Sequence, residues 1–418
     1  MVRFVRSART RSFSSFSFGT FSRVSGAVAL GTALLGLSAP AGAWLGSDSP
    51  CRVEEIQDTE MALFEPDKYA WELFKQLNHP ANVWEQCPDE GKKLGDEGPV
   101  VWESWRNIRR GSERSTFRTR GRYPGPWRTS TPNKDQLDRI AGINNGPLIK
   151  TEADVQVVRN VPNNPSRKRP KSSKFGSKII GADETRINRD TYLHIREQNL
   201  YDRNVINALA AKGESASLDL PPETKEVKGR WMQISEEDKP RYHWTIFKDK
   251  DGDEQLWGLT ALHITTKDLP NWFWTTFEHV DIAPEFVNDS VDAYSCPDQP
   301  VGCDAVPEEI KGTKWENYRL RGTQTSFVDQ RGRKVVLANS QIEDGIEERS
   351  SCMTCHAEAA LETNGRPIPI SDAFTGKPRE NKLQRDVMQL DFMFIFKHAS
   401  PSETEDQKKK KPKRVAQK

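Results

Sequence analysis

Gln255-Leu256-Trp257-Gly258-Leu259-Thr260-Ala261-Leu262-His263-Ile264 decides the fold, together with two runs ahead of it, Val227-Lys228-Gly229-Arg230-Trp231-Met232-Gln233-Ile234 and Arg241-Tyr242-His243-Trp244-Thr245-Ile246-Phe247. Each is rich in aromatic and β-branched residues, which suit a pleated, half-buried surface, and polar turns separate them. Three such runs in succession predict an antiparallel β-meander in the middle of the chain. The turn Asp249-Lys250-Asp251-Gly252-Asp253-Glu254 shares only its acids with a calcium loop. Its glycine comes too early and Thr260 stands where a bidentate glutamate is needed, so it is read as a hairpin turn. Trp231, Trp244 and Trp257 recur at equal intervals, which predicts that neighbouring strands bring them near one another.

Outward from this centre the chain mixes helix and strand. Pro66 and Asp67 open a helix over residues 65–77, in which Ala70, Leu73, Phe74 and Leu77 follow at helical spacing and Asn78-His79-Pro80 ends it. Residues 100–105 fit either a strand or a buried helical turn. From about 106 to 178 the composition turns to Arg, Lys, Pro, Gly, Ser and Asn, which predicts a basic, flexible loop, and its peak at Arg167, Lys168, Arg169 and Lys171 is read as a solvated face. Residues 184–200 carry both helix and strand signals, 204–211 read as helix, and further strands are expected at 315–327 and 334–337. Residues 387–396 close the core, and 401–418 form a disordered, lysine-rich tail. The expected fold is therefore α+β: one large domain over 44–400, with the β-rich middle packed against helices.

Near the C-terminus stands Ser350-Ser351-Cys352-Met353-Thr354-Cys355-His356-Ala357-Glu358-Ala359-Ala360-Leu361-Glu362. Two thiols at i and i+3 and an imidazole at i+4 fall on one side of a helical turn, where they can engage one planar ligand together. Cys-x-x-Cys-His is the attachment pattern of c-type haem, with both cysteines bonded to the porphyrin edge and the histidine as proximal iron ligand. Ser350 or Ser351 suits the N-cap, and the alanines, Leu361 and Glu362 favour continued helix. A zinc ribbon would need a second close cysteine pair, but six residues separate Cys296 from Cys303. A thioredoxin-like centre would need a strand before Cys352, where residues 341–349 are polar and charged. Cys352 and Cys355 are thus expected to hold one covalent haem c and His356 its iron.

The formal net charge is +2, and charged residues make up 29% of the chain against 35% apolar, a composition that offers no global basic field for nucleic acid. Five arginines and no acids lie in residues 1–43, so the remainder is net negative. That segment reads as a secretory signal peptide: a basic start, an apolar run over 24–37 too short and glycine-rich for a membrane span, and Ala41-Gly42-Ala43 for cleavage. The expected destination is the periplasm or another exported location. With the motif cysteines assigned, Cys51, Cys87, Cys296 and Cys303 remain; of three possible connectivities, disulfides Cys51 with Cys87 and Cys296 with Cys303 are favoured.

Several stretches together carry a family resemblance. They are Trp71-Glu72-x-Phe74-x-x-Leu77-Asn78-x-Pro80, Val101-Trp102-Glu103-x-Trp105, Lys228-x-x-Trp231, Gly258-Leu259-x-x-Leu262-His263-Ile264, Thr276-Phe277-Glu278-His279-Val280-Asp281, Asn317-Tyr318-Arg319-Leu320-x-Gly322-Thr323-Gln324 and Ser351-Cys352-Met353-Thr354-Cys355-His356-Ala357. Over about residues 65–396 the chain resembles a large, poorly characterised family of exported bacterial c-type cytochrome-domain proteins. It departs from that pattern at His79, where a tryptophan is expected, and in its basic loop and lysine tail. The resemblance implies electron transfer.

Too few residues follow His356 to enclose a haem, so upstream segments must supply the opposite face of the iron. His279, beside Glu278 and Asp281, is the first-ranked distal ligand and His263 the second, followed by Met388 and Met393, with His243 mid-meander. A tightly held second ligand makes a single-electron carrier with a redox protein partner. An open or labile sixth position instead allows peroxidase- or oxidase-type chemistry, and a haem-stabilised binding protein is a third class.

Overall fold

Asp58 caps α1 (Thr59–Phe64), its carboxylate accepting from Met61 N at 2.8 Å, and Pro66 sets the first turn of α2 (Pro66–Leu77). The computed structural model describes residues 57–82, 87–109, 115–127, 149–158, 181–213, 217–281, 306–329, 331–343, 346, 350–368 and 386–403. After α2 come β1 (Ala81–Asn82), β2 (Cys87–Pro88), α3 (Val101–Ser104), β3 (Arg106–Asn107), β4 (Ile149–Thr151), β5 (Gln156–Val158) and β6 (Gly181–Ile187). There follow α4 (Arg189–Glu197), α5 (Arg203–Ala210), β7 (Lys225–Gln233), β8 (Trp244–Lys248), β9 (Glu254–Thr266), β10 (Phe273–His279), β11 (Tyr318–Gln324), α6 (Cys352–His356), β12 (Ala360–Glu362) and β13 (Val387–Gln389). Among the described residues no helix is long and apolar enough to cross a membrane.

Nine of these strands form one sheet, ordered β11-β10-β9-β7-β6-β3, with β5 on β6 and the pair β4 and β8 joined to β9. All its pairings are antiparallel except β4 with β8, so the α+β expectation holds at the level of mixed helices and a large antiparallel-rich sheet. The order of the expected meander does not. β9 is 13 residues long, and Trp257 and Gly258 pair β7 on one side and β8 on the other, so β9 lies between the two strands that precede it. Within the expected run only β8 and β9 are neighbours, and three consecutive strands lie side by side in β9-β10-β11. The register sets the three tryptophans on neighbouring strands, with separate ring contacts: Trp257 stacks on Phe247 at 4.0 Å, Trp231 lies 6.1 Å from Trp102, and Trp244 sits under Lys239.

The sheet is covered on both faces. Phe273, Thr275, Phe277 and His279 of β10 share a face with Leu262 and Ile264 of β9, and α2 lies on it, with Trp71 and Phe74 5.0 and 4.4 Å from Phe277. Trp274, Thr276 and Glu278 alternate to the other face, where a segment of irregular backbone over 337–343 and helix α6 are stacked. Burial on both faces is why all seven residues of β10 are buried.

Four readings of the sequence need amendment. Within the stretch expected to be loop, β3, β4 and β5 join the sheet and Lys150 is buried, because long-range pairing supplies what the local composition does not. Residues 334–337 make one isolated bridge, Lys334 with Val328, and no strand. Residues 401–403, expected to belong to a disordered tail, are held against the fold: Ser402 donates its backbone N–H to Asp202 at 3.0 Å, and Glu403 pairs with Arg120 at 3.0 Å. The helix begun at Cys352 stops at His356, and residues 360–362 are strand. Cys87 is disulfide-bonded, while Cys51, Cys296, Cys303, residues 1–43 and 404–418 lie outside the described residues.

Candidate haem-attachment site

Helix α6 is one turn held at its start by two side chains. Ser351 Oγ accepts from Thr354 N at 3.4 Å, the cap the sequence predicts, and also from Gln324 Nε2 at 2.9 Å. Gln324 Oε1 accepts from Met353 N at 3.2 Å, so a single amide at the end of β11 ties down both the cap and the first turn. Cys352 Sγ faces the Leu337 carbonyl at 3.9 Å, and Leu337 N donates to Ser350 O at 3.1 Å. Both motif thiols are free and part-buried.

The short helix has a consequence for His356. After it the chain turns into β12, which pairs with β13, and Leu390 N donates to Ala359 O at 2.8 Å, bringing residues 390–392 back against the helix. There Asp391 and Phe392 both take left-handed backbone, φ 47° and 63°, which is costly for a phenylalanine. The Asp391 carboxylate holds the turn. It accepts from Trp272 Nε1 at 3.0 Å, Leu220 N at 2.8 Å and Lys267 Nζ at 2.6 Å. The turn aims the Phe392 carbonyl at His356, whose Nδ1 donates to it at 2.8 Å. That bond fixes the tautomer and leaves Nε2 as the basic nitrogen. Trp274 and Phe394 flank the ring at 4.5 and 5.2 Å.

The electrostatics suit a neutral, ligating imidazole beside neutral thiols. Burial pushes His356 down to about 4, with the Phe392 carbonyl opposing. Burial also pushes the Cys355 thiol up to about 11 and Cys352 well above its ordinary value. Such thiols are poor thiolate nucleophiles at neutral pH, which does not fit a dithiol redox centre. Among the described residues no group of three or more His, Cys, Asp and Glu side chains could hold a bare metal ion.

Beneath the motif, the sheet presents rows of polar side chains. Lys228, His263 and Thr276 lie side by side on β7, β9 and β10; Glu226, Thr265 and Trp274 form the next row. His263 lies within electrostatic reach of His356, and its buried Nε2 has no hydrogen-bond partner; Glu343 Oε2 is 3.6 Å away. Burial, and then the charges of Lys228 and His356, hold His263 well below the usual histidine range. Burial raises Glu343 and Glu226 to about 7 in spite of Lys228. Thr354 Oγ1 and Glu226 Oε2 are likewise buried without partners. Orphaned polar atoms beside two free thiols and one free imidazole nitrogen form a donor set that fits a haem.

His279 is elsewhere. It faces the α2 side, stacked on Tyr242 at 3.6 Å, its Nε2 donating to Arg241 O at 3.0 Å and its Nδ1 accepting from Asp281 N at 3.2 Å. Both nitrogens are engaged, and the structure does not bring it to the motif. His243 is buried on Glu103, Nε2 to Oε2 2.8 Å, between Trp231 and Trp315. Met388 and Met393 are core residues. Sequence reasoning missed Asp391 and Phe392, whose contribution is a main-chain carbonyl and a turn, neither of which leaves a residue pattern. Gln324 was within reach, since it ends a quoted stretch. Comparison of the chain with family models, curated proteins and solved structures found no match.

Proposed function

We propose that this chain is an exported c-type cytochrome that carries one covalent haem c on Cys352 and Cys355, with His356 as proximal iron ligand, and exchanges single electrons with a redox protein partner. The observation that carries the reading is the His356 Nδ1 bond to the Phe392 carbonyl, which presents a neutral Nε2 one helical position from a free cysteine. When bound, the haem supplies an iron that cycles between two oxidation states. The chain's own residues then do three things. Gln324 and Ser351 fix the turn that spaces the two thiols. The Phe392 carbonyl orients the imidazole and increases its basicity. Trp274 and Phe394 wall the ring from water, which lowers the local dielectric and tunes the potential. Export is supported by the composition of residues 1–43 and by the disulfide at Cys87, a bond expected in an oxidising compartment.

The test is a denaturing gel stained for haem, run on the full chain made in a host that matures c-type cytochromes. Wild type should show haem moving with the chain, and Cys352→Ala with Cys355→Ala should lose it. An unstained wild-type band, or a stained double variant, overturns the assignment.

A further inference from the structure

We infer that His263 is the second axial ligand of the iron, opposite His356; this rests on the reading of residues 352–356 as a haem site. Three observations point the same way. First, the strand alternation places His263 on the sheet face that carries the motif, flanked by Lys228 and Thr276, in the row beside the one that includes Trp274, the indole against His356. Second, its Nε2 is buried and makes no hydrogen bond, so that nitrogen is uncommitted within the fold. Third, Glu343, the group it faces at 3.6 Å, lies within electrostatic reach of both Cys352 and Cys355. The thiols, His356 and His263 therefore border one region, through Glu343 on one side and Trp274 on the other.

The support is also of the right kind. A ligand on the central strand of a sheet, pinned on both sides by register, is held more rigidly than one on a loop. The other expected distal groups are placed otherwise: His279 has both nitrogens engaged on the far face, His243 holds Glu103, and Met388 and Met393 lie in the hydrophobic core. Two imidazoles saturate the iron, which favours electron exchange over substrate binding and sets a lower potential than histidine plus methionine would.

The experiment uses the haem-loaded full chain and reads spin state by electron paramagnetic resonance and near-infrared magnetic circular dichroism. The ferric wild type should be low-spin with a bis-imidazole signature. His263→Ala should keep its gel-stained haem yet turn high-spin and, when reduced, bind carbon monoxide at least tenfold faster, with added imidazole restoring the low-spin signal. His279→Ala should stay low-spin. If His263→Ala does not fold, His263→Met should give the histidine–methionine signature and a raised potential. A high-spin or methionine-ligated wild type, or His263 variants with unchanged spectra, overturns the inference while leaving covalent attachment standing; loss of gel-stained haem from wild type removes the underlying site instead.

Discussion

Single residues set the state of His356, and the most consequential of them contacts neither thiol nor imidazole. Asp391 holds a left-handed turn by accepting from Trp272, Leu220 and Lys267, and that turn delivers the Phe392 carbonyl. Asp391→Ala should cost about 2–4 kcal/mol by leaving Trp272 Nε1 and Leu220 N unmet, while Lys267 keeps Asp219 and the Leu220 carbonyl. Asp391→Asn, which tolerates the same backbone and keeps an acceptor, should cost less; equal losses in urea melts would remove the acceptor from the explanation. His279 makes a second test at this scale. Burial lowers it to about 4, below the ordinary value of about 6.5, so the unfolded chain binds the extra proton as pH falls between those values and the stability it contributes is lost there. The advantage of wild type over His279→Gln in urea melts should therefore be full above about pH 6.5 and shrink towards pH 4. A gap independent of pH would mean that His279 is not held neutral. The sequence made both histidines visible as ligating groups, but only the alternation of β9 and β10 separates them, because neighbours one residue out of phase face opposite ways.

At the scale of elements, the motif helix, the hairpin turn at 249–254 and α2 were legible because each is written locally, in caps, prolines and turn acids. Sheet order was not, since a 13-residue strand can hold two partners on one edge and no local signal says so. The short β4 shows the same thing from the other side. Its residues read as loop, yet its pairing with β8 carries Lys150 into the core, between Glu103 at 2.6 Å and Glu184 at 2.8 Å and over the Trp231 ring at 4.6 Å. Burial alone would raise the Glu103 carboxyl, but Lys150 and His243 hold it well below the usual range. Lys150→Met would keep the volume, leave Glu184 on Arg186 and Trp231, and strand the buried Glu103 carboxylate with only His243 beside it, so it should cost about 3–5 kcal/mol in denaturant melts at neutral pH. A loss under 1 kcal/mol would mean that water or another cation reaches Glu103.

For the whole molecule, the two faces of the sheet make different demands. The α2 face is packed by the protein itself, with aromatic rings on Phe277 and the Lys150 network closed on its acids, and Nε1 of Trp71 and Trp315 and Nδ1 of His243 lack partners there. On the motif face His263 Nε2, Glu226 Oε2 and Thr354 Oγ1 lack partners. Stability should therefore divide along the sheet. In a chain with Cys352→Ala and Cys355→Ala, the sheet has its own core and should persist, whereas residues 337–343, 350–362 and 386–396 would lose the proposed haem and keep only such ties as Asn339 to Thr276, Gln324 to Ser351 and Trp272 to Asp391. Hydrogen exchange compared between that variant and the haem-loaded wild type should show protection falling by an order of magnitude or more in those segments, with β7, β9 and β10 little changed. Exchange that rose equally in all of them would mean the haem is part of one cooperative core. The picture of a self-sufficient sheet with a docked haem segment would then be wrong, even with the attachment residues correctly assigned.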